Sequence, residues 1–226
     1  MPSAIALVPS APVMVPQLAA GAAPELADLR EAAFAAAGTL PARWLAVGAG
    51  TADAVVGPRQ AGTFAGYGVD VPVALSPEPA EPEPLPLCAL IAGWLRGQVM
   101  PQAHVEVRVY GACDADTALT RGRELRAALD AAADPVGVLI VADGLHTLTP
   151  PAPGGYDPDS VPRQDQLDDA LARGDAAALA RLPDGVVGRV AYQVLAGLCE
   201  PGPRSAKELY RGAPYGVGYF VGVWTP

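Results

Sequence analysis

Apolar residues recur along this chain with two different periods, and the alternation of the two suggests a fold. "AIALVPSAP" is a short apolar run stopped by proline, the pattern of a buried strand opening onto a loop. "APELADLREAAFAAAG" places Leu26, Leu29, Ala33 and Phe34 on one helical face, with Gly38 as the stop. "RWLAVGAGTADAVVG" is strand-like from Trp44 to Val47. "SPEPAEPEPLP" is acidic and proline-rich, which excludes a helix interior or central strand and predicts a surface loop. "LCALIAGWLRGQ", Leu87 to Gln98, is the second predicted helix. "AHVEVRVYGAC" sets Val105, Val107 and Val109 against Glu106 and Arg108, a strand with one wetter face.

"DADTALTRGRELRAALDAAA" reads as a helix capped by Asp114 or Asp116. "PVGVLIVADGLH" is the most apolar run and predicts a central strand ending at His146. "QDQLDDALARGD" and "DGVVGRVAYQVLAGLCE" are helical in pattern, and "APYGVGYFVGVW" is a glycine-rich strand. Strands alternating with helices predict an α/β fold: one three-layer domain over 1–226, with a mainly parallel central sheet flanked by helices. No internal repeat or domain boundary is visible. In such sheets ligands lie beyond the strand C-termini, which directs attention to the tips after Val8, Val47 and Val141.

Composition narrows the function. The chain is 51% hydrophobic and 17% charged over 226 residues, so it is globular, and one domain of this size buries roughly 70% of its unfolded surface. Its net charge of −9 and its scattered 15 Lys and Arg exclude nucleic acid as the expected partner. No basic residue precedes Arg30, and Pro9, Pro12 and Pro16 interrupt the first apolar run, so neither a signal peptide nor a membrane span is expected and the expected location is cytoplasmic. Cys88, Cys113 and Cys199 are too far apart for a zinc knuckle and read as small buried apolar residues.

"GAGTADAVVG" lacks the third glycine of a dinucleotide turn, and the P-loop, H-E-x-x-H and G-x-S-x-G patterns are absent. His146, three residues after Asp143 at a strand tip, could shuttle protons near neutral pH; the alternative is a loop histidine bonded to a carbonyl. His104 opens a strand at the opposite end and reads as a surface histidine.

Three strings, "ALVPSAPVMVPQLAAG", "VLIVADGLHTLTPPAPGGYDP" and "APYGVGYFVGVW", together with the order of elements, resemble the class III extradiol ring-cleavage dioxygenases. The likeness is to the protocatechuate 4,5-dioxygenase β-subunit type and its Memo-type relatives, in particular an actinobacterial branch. The resemblance implies Fe(II) held by two histidines and one carboxylate, with a separate acid/base histidine. It also implies that Ala11 stands where the first ligand histidine would be, and that Gly48 to Asp53 offers none for the second. His146 matches the acid/base position, and Glu208 is the only match for the carboxylate.

With two histidines in the whole chain, that iron site cannot be assembled, and no cofactor is expected. The leading expectation is a non-catalytic or repurposed homologue that binds a small molecule, or scaffolds a complex, through a crevice of Ser10, Ala11, Asp53, Asp143, His146, Tyr156 and Tyr215. The alternatives are an enzyme using His146 as acid/base, with Asp143 or Asp157 orienting it, or an unconventional metal site of His146, Asp53 and Glu208. Family members often pair as homodimers or with a second subunit, for which the "EPAEPEP" loop and the "GYFVGVW" terminus are candidates.

Overall fold

The apolar runs become the middle of a seven-stranded sheet. A computed structural model describes residues 2–19, 21 and 24–226. Ala20, in the opening string, and Ala23, the first residue of the predicted helical stretch, lie outside the described residues. The strands are β1 (Ile5–Val8), β2 (Arg43–Ala49), β3 (Ala54–Val56), β6 (His104–Tyr110), β7 (Gly137–Val141), β8 (Ser205–Gly212) and β9 (Tyr219–Thr225), in the spatial order β3-β6-β2-β7-β1-β9-β8. A separate hairpin pairs β4 (Ala61–Thr63) with β5 (Pro72–Ala74). Helices α1 (Pro16–Ala19), α2 (Ala27–Ala37), α3 (Leu87–Val99), α4 (Ala115–Ala131), α5 (Ser160–Arg173), α6 (Ala176–Ala180) and α7 (Arg189–Cys199) complete the fold.

The sheet is mixed, which corrects the expectation of a mainly parallel one. Only the central run β6-β2-β7-β1 is parallel; β3 joins β6, β9 joins β1 and β8 joins β9 antiparallel. The reason is the C-terminal hairpin. β9 lies beside β1, with Leu7 opposite Gly222, and β8 folds back along it, so no crossover helix separates these strands. β7 also stops at Val141 rather than at His146, and residues 142 to 146 continue as a loop.

Side chains alternate between the two faces with period two. Ala6, Val8, Ala46, Val107, Leu139 and Val141 join the core under α2 and α3. Ile5, Leu7, Val47, Val138, Ile140 and Trp224 join the core under α4, α5 and α7. Apolar layers on both faces explain why the central strands carry almost no polar residues. Cys88 and Cys199 are buried as expected, whereas Cys113 is only half-buried because it lies in the loop before α4. The acidic stretch 77–84 is exposed and non-helical. Among the described residues no helix is long and apolar enough to cross a membrane.

The second apolar layer depends on one close helix crossing. A Cβ added at Gly122 of α4 would lie 2.2 Å from the Val194 carbonyl oxygen, and one added at Gly197 of α7 would lie 2.2 Å from that of Leu119. Backbone meets backbone, so neither helix can yield by rotating a side chain. Gly197→Ala is therefore expected to lower stability by about 2–3 kcal/mol in urea denaturation, against the small gain that alanine gives in an uncrowded helix.

Candidate functional site

The parallel strands β1, β2, β6 and β7 all end at one edge, and the chain leaving β7 runs through its centre. Val8, Val141 and Gly48 share that edge in register. Ala142 N–H continues the ladder to Val8 O at 2.9 Å. Asp143 then turns toward β1, where one carboxylate oxygen accepts the Ser10 N–H at 2.8 Å. The pair Ser10 and Asp143 is thus brought together, both half-buried.

Burial pushes the Asp143 carboxyl up to about 7, with the Ser10 N–H pulling it down only in part. Buried Tyr192 donates to Ala142 O at 3.0 Å, and its hydroxyl is pushed well up by burial and by the nearby carboxylates. Tyr219 is raised for the same two reasons, burial first and Asp143 second.

His146 lies five residues beyond the strand end, half-buried under the proline-rich loop. A Cβ added at Gly154 would lie 2.8 Å from its Nε2, and the Gly154 N–H donates to the His146 carbonyl at 3.0 Å. Its Nδ1 is buried and unpartnered among the described residues. Neither expected orienting carboxylate hydrogen-bonds it. Asp143 is turned to Ser10, and Asp157 accepts from the Asp159 N–H and the Ser160 hydroxyl. Among the described residues its side chain does not form the carbonyl-bonded alternative either.

The other expected crevice residues are buried, exposed or engaged elsewhere. Ala11 is 2% exposed and packs into the core under α2 and α3. Asp53 is exposed, accepts the Gly111 N–H at 2.8 Å and pairs with Arg121. Tyr156 is 54% exposed. Tyr215 donates to Glu25 at 3.2 Å. Glu208 sits on β8 opposite Gly222 and pairs with Arg211, across the sheet from Asp53, which precedes β3 at the other edge. The set His146, Asp53 and Glu208 is therefore not assembled, and among the described residues no three His, Cys, Asp or Glu side chains group to hold a metal. The donors that the resemblance would need for Fe(II) do not fit it here.

Sequence reasoning missed Gln164. Its side-chain oxygen accepts the Leu145 N–H at 2.8 Å, and its amide donates to Asp168 at 2.8 Å. A Cβ on Gly144 or on Gly218 would lie 2.2 Å from this amide, so the side chain is wedged between two glycines that also bond each other's segments. Gly144 and Gly218, which receive it, are far apart in the sequence, so no local signal marks this residue. Asp168 is itself pushed up to about 6, chiefly by burial.

A further cavity lies elsewhere. A groove of about 470 Å³ runs along the wet face of β6, with His104, Glu106 and Arg108 on one wall and Leu125 and Leu129 of α4 on the other. His104 is exposed there, as its position at the start of a strand suggests.

Two outcomes follow for these residues. Between pH 4 and 7 the folded chain holds the Asp143 proton and the unfolded chain does not, so stability falls as pH rises through that window. Asp143→Asn can still accept the Ser10 N–H and carries no charge; it should raise Tm by a few degrees at pH 8 and by much less at pH 5, followed by circular dichroism. Gln164→Leu strands the Leu145 N–H and one Asp168 oxygen, and should cost about 2–3 kcal/mol in urea denaturation.

No protein-family model and no curated protein matches the chain. Among solved structures it is similar to the uncharacterized protein JW3007 from Escherichia coli K12, at 12% identity and a TM-score of 0.60, over 99% of this chain and 100% of that one. At that identity the likeness concerns the fold alone: an α/β architecture with a large central sheet flanked by helices.

Proposed function

We propose that this protein is a binding or scaffolding homologue of the extradiol ring-cleaving dioxygenases that has kept the layered sheet and lost the iron centre. One observation carries the reading: at the β1 tip, Ala11 is a buried methyl while Ser10 is tied to Asp143 at 2.8 Å. The place that the resemblance gives to the first iron ligand is filled by apolar packing and a protein hydrogen bond. A methyl group offers iron no electron pair, and no neighbouring histidine compensates. Ser10, Asp143 and His146 each keep part of their surface open, which leaves room at the strand tips for a small ligand held by hydrogen bonds. A homodimer or a second subunit fits the same reading, with the exposed acidic loop as one contact.

A second reading, metal-free proton transfer on a small aromatic substrate, has one observation in its favour. Asp143 is raised to about 7, a useful value for an acid or base near neutral pH, and the unpartnered His146 Nδ1 lies in the same loop.

Protein prepared without a histidine tag, incubated anaerobically with Fe(II), desalted and then given catechol or protocatechuate in air, separates these readings. Substoichiometric iron and no yellow ring-cleavage product are expected. One iron per chain with turnover overturns the proposal. Consumption of an aromatic substrate without iron, lost in Asp143→Asn, favours the second reading.

A further inference from the structure

A second, smaller cavity lies beside the Gln164 network. It encloses about 310 Å³ between the start of α5, the 148–149 segment and the end of β8. Val161, Gln164, Asp165 and Asp168 line it from one face of α5, at the spacing of successive helical turns, with Leu148 and Arg211 opposite.

Asp168 is only 6% exposed, yet just one of its oxygens is used, by the Gln164 amide. Among the described residues the other oxygen takes no hydrogen bond, and no Lys, Arg or His forms an ion pair with this carboxylate. Arg211 is already engaged, with Asp169 at 3.0 Å through Nη1 and with Glu208 through Nε at 2.8 Å and Nη2. Arg211 and Arg173 are taken up by Asp169 and Glu208, and among the described residues neither pairs with Asp165 or Asp168. A buried carboxylate with an open oxygen, in acidic surroundings, favours a cation that brings its own N–H donors. Val161 is 42% exposed beside it, an apolar surface for the rest of such a ligand to cover. The volume lies at the small end of ligand cavities, which limits that ligand to a short chain.

We propose that this cavity binds a short aliphatic ammonium ion, with its N–H donors on the open Asp168 oxygen and its methylenes against Leu148 and Val161. The site is independent of the strand-tip reading, so the presence or absence of iron leaves it untouched. Asp168 must be ionised to bind. The charged and titratable groups facing it are Asp165 on α5, Glu208 and Arg211 on β8, and Tyr192 on α7. Because its carboxyl is pushed up to about 6, apparent affinity should fall about tenfold from pH 8 to pH 5.

The test is thermal denaturation and calorimetric titration of the full chain with propylammonium chloride, against sodium chloride and sodium propionate at equal ionic strength. Propylammonium alone should give a saturable rise in Tm at pH 8, weakened at pH 5 and abolished in Asp168→Asn. Val161→Arg places a tethered guanidinium at the cavity wall and should abolish it as well, which keeps the test decisive if the Asp168 variant does not fold. A rise no larger than that with sodium chloride overturns the proposal, as does an equal rise in folded Asp168→Asn or in Val161→Arg.

Discussion

The backbone leaving β7 is largely enclosed, and satisfying its polar groups there is the constraint on which the rest of the molecule depends. Water does not reach this segment freely, so an unpaired N–H or C=O would cost about 1–3 kcal/mol. The neighbouring elements supply the partners. β1 accepts from Ala142, the start of α7 donates to Asp143 O and Gly144 O, Gly218 exchanges bonds with Gly144 and Leu145, and Gln164 accepts from Leu145. Partners that approach this closely leave no room for side chains, which is why Gly144, Gly188 and Gly218 meet there: a Cβ on Gly188 would lie 2.5 Å from that of Ala142. The helix layer, the C-terminal hairpin and the candidate site are thus positioned by one stretch of main chain.

The same enclosure shapes the electrostatics. Asp143 and Asp168 lie on either side of this segment, each with one hydrogen bond donated to a carboxylate oxygen and no ion pair among the described residues. Both are held toward their neutral forms, one at the strand tip and one beside the cavity. The ordinary surface pairs, such as Arg123 with Glu200, are solvent-exposed and contribute little by comparison.

The parallel centre of the sheet was legible in the sequence because strands covered on both faces must be apolar throughout, and "AIALV", "WLAV" and "VGVLIV" are. β8 was not legible. "SAKELYRG" carries charge at Lys207, Glu208 and Arg211, since an edge strand faces water, and a bulge between Glu208 and Tyr210 breaks its period. That omission also hid the mixed character of the sheet. At the site, Asp143 near Ser10 follows from the rule that strand tips converge, but Gln164 lay in "QDQLDD", which reads as a solvated helical face. Nothing local marks it as buried; only the tertiary approach of two glycines does.

The insertion of β9 between β1 and β8 also bears on the order in which this chain can assemble. β1, near the start, pairs with β7 on one side and with β9 on the other, so its two partners lie more than 130 and more than 210 residues away. During synthesis β1 keeps an open, apolar edge until more than 210 further residues have emerged. One side of β1 is thus completed late, and the nascent chain is exposed to wrong pairings over that stretch of its synthesis.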